Sequence, residues 1–564
     1  MGTLDWAVIG IFFLALIGII VWVVKQKQND SADYFLGGRD ATWLAIGASI
    51  FASNIGSEHL IGLAGAGASS GMAMAHWEIQ GWMILILGWV FVPFYSRSMV
   101  YTMPEFLERR YNPQSRTILS VISLISYVLT KVAVTVYAGG LVFQQVFGIK
   151  ELWGIDFFWI AAIGLVVLTA LYTIFGGMKS VLYTSVLQTP ILLLGSLIIL
   201  VLGFKELGGW DEMMSICSAV TVNEYGDTMT QLIRDNNDPN FPWLGALVGS
   251  AIIGFWYWCT DQFIVQRVLS GKNEKEARRG TIFGAYLKLL PVFLFLIPGM
   301  IAFALHQKYI GAGGEGFLPL LANGTANADA AFPTLVAKLL PAGVKGLVVC
   351  GILAALMSSL ASLFNSSAML FTIDFYKRFK PETPEKKLVG IGQIATVVIV
   401  ILGILWIPIM RSVGDVLYTY LQDVQSVLAP GIAAAFLLGI CWKRTSAKGG
   451  MWGLIAGMII GLTRLGAKVY YSNTAITDSS MFKYLFYDLN WLFFCGWMFL
   501  FCIIVVIAVS LMTEAPSAEK IQGLVFGTST PEQKAATRAS WNHWDIIHTV
   551  IILAITAAFY WYFW

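Results

Sequence analysis

The sequence predicts an all-α polytopic membrane protein with about fourteen transmembrane helices. Three observations predict this fold class. The 564-residue chain is 57% hydrophobic and only 12% charged, whereas soluble domains carry about twice that share of charged residues. Apolar windows of about twenty residues, the length that crosses a bilayer, recur along the chain. The loops between these windows alternate between basic and acidic, as the positive-inside rule requires.

The apolar windows define the elements in chain order. The predicted helices cover residues 5–24, 42–66, 72–96, 116–147, 153–175, 181–204, 242–268, 279–305, 343–376, 387–410, 414–441, 449–470, 487–512 and 545–563. The first window lacks the basic leader and the cleavage site of a secretory signal, so we expect it to remain as a helix. The cysteines lie mostly in apolar windows, and we expect no structural disulfide.

Loop charges orient the predicted helices. Basic residues cluster in the loops around 25–39, 97–116, 272–279, 377–387 and 443–448, whereas the opposite side holds the acidic 206–241 loop and the Gly/Ala-rich 307–342 loop. The positive-inside rule places the basic loops in the cytoplasm. An even number of spans then places both termini outside, and we expect a multi-pass protein of a plasma or inner cell membrane.

Two of the predicted helices are interrupted in corresponding places. The window 42–66 carries polar residues and glycines at its centre, and the window 242–268, five helices later, is interrupted around 249–262. A broken helix frees backbone carbonyls, which are ligands for small cations. The paired interruptions predict two inverted five-helix repeats with a site between them near the midplane. The predicted units are an N-terminal helix and loop at 1–41, a first repeat at 42–205, an extracellular loop at 206–241, a second repeat at 242–442 and three C-terminal helices at 443–564.

Isolated polar residues within the apolar windows predict the substrate site. A charged group at mid-bilayer costs several kcal/mol unless it is paired or hydrated, so Glu78 and Lys288 should face a cavity, a partner or water. The alternative for both is a snorkelling side chain or an ion pair that only holds two helices together. Together with Asn54, His59 and Gln422, they offer the donors and acceptors that a polyhydroxylated ligand needs.

A second group of residues predicts a sodium site. Serines in membrane helices often bond their own backbone and only pack, which is the alternative for Ser358 and Ser359. Combined with carbonyls freed at Ala52 and Ile55, however, their hydroxyls complete a neutral cage of oxygens. Such a cage suits a sodium ion that must be released again.

Several motifs resemble those of the sodium/solute symporters, and most closely the sodium/glucose cotransporter branch. They are DYFLGGR at 33–39, ASNIGS at 52–57, YTMPEF at 101–106, WYWCTDQ at 256–262 and PGI at 430–432. The resemblance extends from about Asp33 to near Leu511. It implies a leucine-transporter-type core of ten helices, with one helix before it and three after.

The resemblance also implies roles for individual residues. The sugar-binding positions fall on Asn54, His59, Glu78, Lys288 and Gln422. Tyr257 takes the place of the inner-gate tyrosine, and Trp77 and Tyr418 take the places of outer-gate aromatics. The sodium ligands fall on Ala52, Ile55, Ala355, Ser358 and Ser359.

Departures from the family pattern indicate how many sodium ions are coupled to each sugar, but they do not identify the sugar. Relatives that couple two sodium ions carry an aspartate and a threonine where this chain has Ser185 and Ala361. We therefore expect one sodium ion per sugar. Gly81 and Gly254 replace polar residues that some relatives place at the sugar site, so the identity of the sugar is not fixed.

The predicted function is sodium-coupled symport of a monosaccharide such as glucose or galactose by alternating access. We expect sodium, the sugar and the lipid bilayer as partners, no nucleic acid, and a monomer as the functional unit. The alternatives are a sodium-coupled symporter for inositol or another polyol, and a sugar-gated sensor or ion leak that accumulates nothing. A glycosidase would need two carboxylates about 5–10 Å apart. Asp423 is the only candidate for a second carboxylate beside Glu78, and only its charge supports it. We therefore expect that the protein is not an enzyme.

Overall fold

A computed structural model describes residues 1–26, 30–56, 58–321, 324–413, 417–473 and 480–564, and leaves undescribed the side chains of 129–130, 145, 409–413, 417–423 and 472–473. In the described part of the chain, helices are the regular elements apart from one antiparallel hairpin of two short strands, Glu151–Leu152 and Ile155–Asp156. Eleven of the described helical stretches are long and apolar enough to cross a bilayer. This finding confirms the all-α membrane fold class.

The helices follow the predicted windows. Before the second broken helix they are Thr3–Lys25, Trp43–Asn54, Glu58–Leu63, Ala64–Ser70, Ala75–Glu78, Gly81–Ile86, Leu87–Phe91, Val92–Ser98, Pro113–Ser126, Tyr127–Val132, Ala133–Phe147 and Phe157–Leu207. From there on they are Trp243–Phe255, Trp256–Thr260, Gln262–Leu269, Glu274–Lys288, Val292–Leu296, Ile297–Gly311, Val344–Met369, Leu370–Tyr376, Lys377–Phe379, Glu385–Val413, Leu417–Cys441, Ala447–Asn473, Trp491–Met512 and His543–Tyr562.

Shorter helices lie in the connecting loops. They are Ser31–Leu36, Gly37–Arg39, Gly71–Met74, Met103–Arg110, Trp210–Ser218, Ala328–Ala330, Ala331–Leu339, Met481–Lys483, Tyr484–Asp488, Ala518–Ile521 and Pro531–Ala539.

One continuous helical stretch contains two predicted crossings. Phe157–Leu207 has 51 residues, which at 1.5 Å per residue would measure about 75 Å if straight, more than twice the hydrocarbon thickness. Gly177 divides it with φ 52° and ψ −150°. Because few residues other than glycine adopt that backbone conformation, the turn between the two spans is tied to this position.

The first broken helix is interrupted at the predicted place. Trp43–Asn54 ends where Ile55 adopts an extended backbone, with φ −80° and ψ 110°. Helical geometry resumes at Glu58 as a wide π-type turn and continues as Ala64–Ser70. The break therefore lies beside Asn54 in the middle of the span.

The second broken helix is interrupted in the same manner. Trp243–Phe255 continues into the π-type turn Trp256–Thr260, and Asp261 then adopts an extended backbone, with φ −76° and ψ 127°. The Asp261 carboxylate accepts a hydrogen bond from the backbone N–H of Phe263 and so caps the helix Gln262–Leu269. Both predicted interruptions are confirmed.

Burial separates a packed core from peripheral helices. In the most apolar windows of Glu274–Gly311 and Val344–Phe379, 83% and 89% of residues are buried, against 22% in Thr3–Lys25 and in His543–Tyr562. Residues of a membrane helix that no other helix covers face lipid. The first and last spans therefore lie at the edge of the molecule, and the spans that carry the predicted site lie at its centre.

Candidate functional site

A buried polar cavity of about 70 Å³ lies between the two broken helices, with room for several water molecules. Side chains from seven spans line it, among them Asn54, Glu58, His59, Trp77, Glu78, Gln80, Lys131, Tyr257, Lys288 and Ser359. Four of the five predicted sugar-binding residues and two of the three predicted gate residues are in this group. The side chains of Gln422 and Tyr418 lie outside the described residues.

An ion pair forms the centre of the site. Lys288 Nζ lies 2.6 Å from Glu78 Oε2 and donates a second hydrogen bond of 3.1 Å to Asn54 Oδ1. The side chains of Lys288 and Glu78 are 4% and 2% exposed. Because neither charge is in contact with bulk water, each depends on the other for compensation. Three residues from three different spans are thereby brought together.

Two polar side chains beside this ion pair, those of His59 and Trp77, have nitrogen atoms without a hydrogen-bond partner in the described part of the chain. His59 Nε2 lies 3.3 Å from Glu78 Oε2, but neither ring nitrogen of His59 forms a hydrogen bond within the described residues. The indole Nε1–H of Trp77 is likewise buried without an acceptor in the described part of the chain. Leaving a buried donor or acceptor unsatisfied costs about 1–3 kcal/mol, so both groups are ready to bind a hydroxylated ligand.

The predicted gate residues Tyr257 and Trp77 both line the cavity. The Tyr257 hydroxyl accepts a 3.2 Å hydrogen bond from Asn54 Nδ2, which links the two broken helices directly. Trp77 stacks on Trp491, with ring centroids 5.6 Å apart and an interplanar angle of 25°. Aromatic rings that line a cavity can pack on the apolar face of a sugar ring.

The predicted sodium ligands lie where the first broken helix meets Val344–Met369. Ser359 Oγ donates to the carbonyl oxygens of Ser53 and Ile55, at 2.9 and 3.2 Å. Ser358 Oγ lies 3.3 Å from Ser185 Oγ. Ala52 and Ala355 are buried on the same two elements. The donor set is entirely oxygen, as a sodium ion requires, and the break at Ile55 supplies its carbonyl.

The side chain of Gln80 fills the space beside Gly254. A Cβ atom at Gly254 would overlap the side-chain amide of Gln80. Gln80 Nε2 donates instead to the carbonyl of Ser250 at 2.8 Å, and the side chain lines the cavity. The site thus keeps a polar group at this place, but from a different helix.

Sequence reasoning missed a second buried ion pair. Lys131 Nζ lies 2.6 Å from Asp261 Oδ2, and the rings of Tyr257 and Phe263 each lie 4.9 Å from the same ammonium. Tyr127 donates its hydroxyl hydrogen to the other carboxylate oxygen of Asp261. Both residues were visible as single charges in apolar windows, and charges at such positions usually pair. The pair lies directly beside Tyr257.

Comparison with known proteins gives one consistent result. The profile described as "Sodium:solute symporter family" matches residues 34–457. Human sodium/myo-inositol cotransporter 2 is 37% identical over 538 residues, which are 93% of this chain and 79% of the relative. Sheep sodium/glucose cotransporter 1 is also 37% identical, over 90% of this chain and 79% of its own length.

A solved structure matches the fold. The structure of a Na⁺-coupled sialic acid symporter in a substrate-bound outward-open state aligns with 92% of this chain and 99% of its own. Its TM-score is 0.72 at 22% sequence identity, so the similarity concerns the arrangement of helices rather than the residues of the site.

Proposed function

The chain belongs to the sodium:solute symporter family, and on that premise we propose that it is a symporter for a monosaccharide, such as glucose or galactose, with one sodium ion per sugar. It is a multi-pass membrane transporter with a leucine-transporter-type core. Sodium is its coupling ion. The identity of the cotransported solute, the residues that hold it and the stoichiometry are proposals.

The observation that best supports a sugar substrate is the mixture of donors and acceptors around the central cavity. Lys288 and Trp77 present donors, Glu78 presents acceptors, and His59 presents one of each in its neutral form. A hydroxyl of a sugar is both donor and acceptor, so each can bond to two such groups. A ligand with several hydroxyls satisfies the groups that lack hydrogen bonds within the described residues.

The single-sodium stoichiometry is supported by the surroundings of Ser185. Its hydroxyl donates to the carbonyl of Val181 at 2.6 Å, within its own helix. Ala361 is fully buried and offers no side-chain oxygen. A second sodium ion at this place would lack the aspartate and the threonine that relatives coupling two ions carry at the positions of Ser185 and Ala361.

Transport would proceed by alternating access. Sodium bound between Ala52, Ile55, Ala355, Ser358 and Ser359 holds the break in the first helix. The break includes Asn54, so the ion also fixes one side of the sugar site. Loss of the Asn54–Tyr257 hydrogen bond then frees Tyr257 to move and opens a path to the cytoplasm. Coupling requires that sodium bind one conformation better than the other.

A symporter for inositol is the second candidate. The inositol and glucose cotransporters cited above are equally identical to this chain, at 37%. Inositol is a ring of hydroxylated carbons without a ring oxygen, so the same donors and acceptors would serve it. Competition between unlabelled inositol and labelled sugar discriminates between the two.

The decisive experiment is uptake of radiolabelled galactose, glucose and inositol into proteoliposomes. An inward sodium gradient is compared with an equal potassium gradient, in the wild type and in Lys288→Ala and Ser359→Ala. We expect sodium-dependent accumulation that both substitutions abolish. Exposed Lys205 and Ser218 lie away from the site, so Lys205→Ala and Ser218→Ala serve as matched controls and should accumulate normally.

Two results would contradict the proposal. Sugar binding without accumulation would indicate a sensor or leak rather than a symporter. If Lys288→Ala accumulates sugar as well as the wild type does, the ion pair of Lys288 and Glu78 is not part of the sugar site.

A further inference from the structure

His76 precedes Trp77 and Glu78 in a single helical turn, and none of the proposed transport steps uses it. The turn, Ala75–Glu78, has only four residues, and a helix this short is not stable through its own hydrogen bonds. Contacts with other elements must therefore hold it. The turn carries Trp77, the proposed outer gate, and Glu78, an acceptor of the proposed sugar site. Whatever fixes His76 therefore also fixes these two residues.

Both ring nitrogens of His76 form hydrogen bonds. Nε2 lies 3.1 Å from the carbonyl oxygen of Leu232, and Nδ1 lies 2.9 Å from the hydroxyl oxygen of Tyr560. A carbonyl oxygen only accepts, so Nε2 carries a hydrogen, and Nδ1 of the neutral ring then accepts the hydrogen of the Tyr560 hydroxyl. His76 is 1% exposed. Its two partners belong to different elements, because Leu232 lies in the 206–241 loop and Tyr560 in the last span, His543–Tyr562.

The loop and the last span are also joined to each other. The backbone N–H of Leu232 donates to the carbonyl of Phe563 at 2.9 Å. Leu232 therefore uses its N–H for the last span and its carbonyl for His76. The ring of Tyr560 also packs on the ring of His76, with centroids 5.5 Å apart. The end of a span that otherwise lies at the edge of the molecule is thus packed against the turn that carries Trp77.

The same loop reaches Trp77 and the start of its span. Phe241 lies edge-on to Trp77, with ring centroids 6.1 Å apart. The backbone N–H of Met72 donates to the carbonyl of Met229 at 2.8 Å, and a Cβ atom at Gly71 would overlap that carbonyl. Gly71 has φ 70°, a conformation that favours glycine. The loop, the last span and the turn therefore form one connected unit around Trp77.

We propose that His76 is a positioning residue of the outer gate, which Tyr560 and Leu232 hold so that the turn presents Trp77 and Glu78 to the sugar. This assignment rests on the proposed sugar symport and on the gate role of Trp77, and it extends both to the last span. The described residues that line the cavity do not include His76, so it acts through its neighbours. Loss of either hydrogen bond lets the turn move and weakens the hold on the sugar. The sodium cage lies on other elements and is unaffected.

The test is sodium-driven uptake into proteoliposomes at increasing solute concentration, with whichever of galactose, glucose and inositol the wild type accumulates. Tyr560→Phe removes the hydroxyl that bonds His76 and keeps the ring. We expect it to raise the KM for the solute about threefold to tenfold, the factor that one hydrogen bond accounts for. The maximal rate, the sodium concentration for half-maximal uptake and the melting temperature should stay close to those of the wild type.

Two substitutions of His76 separate its hydrogen bonds. In His76→Gln the amide nitrogen can replace Nε2 and keep the bond to Leu232, whereas in His76→Asn the amide oxygen can replace Nδ1 and keep the bond to Tyr560. Each should raise KM. Combining His76→Gln with Tyr560→Phe should raise KM no further than either change alone, because both remove the same bond. Combining His76→Asn with Tyr560→Phe should raise it further.

His548→Gln is the matched control. His548 lies near the opposite end of the same last span, where its Nδ1 lies 3.0 Å from the hydroxyl oxygen of Tyr286. The substitution therefore removes a histidine–tyrosine contact of the same span at a distance from Trp77. It should leave KM unchanged.

Three outcomes would contradict the assignment, each in a different way. An unchanged KM in Tyr560→Phe and His76→Gln would overturn it alone and leave the proposed symport intact. A lower maximal rate and melting temperature at unchanged KM would make the contact purely structural. A wild type that accumulates none of the three solutes would overturn the proposed function, and with it the gate that His76 serves. Should Tyr560→Phe fail to fold, His76→Gln removes the same hydrogen bond and decides the question.

Discussion

Buried charges at the centre of the protein are paired across helices. Glu78 and Lys288 lie on different spans, as do Lys131 and Asp261. Removing one member of such a pair costs about 3–5 kcal/mol because the other charge remains buried and uncompensated. Removing both is much less costly. The same pair can therefore serve transport and hold two helices together, and the two roles are separable by experiment.

We expect Lys288→Met to lower the melting temperature of the purified protein markedly, because Glu78 would then lack a cation at 2.6 Å. Adding Glu78→Gln should restore most of that loss. Uptake should remain abolished in the double variant, because both groups are proposed to contact the sugar. Melting in detergent and uptake in proteoliposomes are measured on the same samples.

Recovery of uptake in that double variant would contradict the assignment of these residues to the sugar site. It would favour the alternative in which the ion pair only joins two helices.

The two halves of the first broken helix pack on one neighbouring span. In the first half, a Cβ atom at Gly47 would lie 2.8 Å from the carbonyl oxygen of Gly280. In the second half, a Cβ atom at Gly67 would overlap the carbonyl group of Leu296, and one at Gly299 would overlap that of Ala64. Backbones approach this closely only where side chains are missing. The broken helix and Glu274–Gly311 are therefore fitted to each other at both ends.

Gly67→Ala tests this contact against Gly164→Ala. Gly67 faces the backbone of Leu296, whereas a Cβ atom at Gly164 would meet nothing within 4 Å. We expect Gly67→Ala to destabilise the protein by about 1–3 kcal/mol through overpacking. Gly164→Ala should be neutral or stabilise it by up to about 1 kcal/mol, since alanine favours the helix.

Thermal unfolding in detergent measures both variants. Equal melting temperatures would show that the second half of the broken helix can move away from Leu296 without cost.

The charges of the loops predict how the whole molecule is oriented in the membrane. Clusters of basic residues lie in alternate loops, and the acidic loop before Trp243–Phe255 lies on the opposite side by the predicted topology. Both termini would then lie outside. This orientation is a proposal from charge alone.

Cysteine labelling tests the orientation. Glu224→Cys and Glu519→Cys place a thiol at exposed positions in loops of opposite predicted side. The exposed native thiol is removed by Cys441→Ser. A membrane-impermeant maleimide should label Glu224→Cys in intact cells and Glu519→Cys only after permeabilisation. The reverse pattern would invert the topology.

Local patterns predicted the spans, the two breaks and four of the polar residues around the cavity (Asn54, His59, Glu78 and Lys288), because hydropathy and isolated charges are properties of single windows. The partners of those residues were harder to predict. Lys131 and Asp261 are 130 positions apart, and nothing in either window indicates the other. The replacement of a polar group at Gly254 by Gln80, and the contact of Gly67 with Leu296, depend on which helices become neighbours. The periodicity of the sequence does not specify which helices become neighbours.

The charges around the cavity also determine how membrane voltage acts on transport. Among the described side chains, three carboxylates (Glu58, Glu78 and Asp261) lie close to three cations (Lys131, Lys288 and Arg267). With all six groups ionised their sum is zero, so we expect the carrier without cargo to move little net charge as its access switches. The field, worth about 2.3 kcal/mol per charge per 100 mV, then acts only on the step that carries sodium. In Glu58→Gln the sum becomes positive, and return of the empty carrier would become sensitive to voltage.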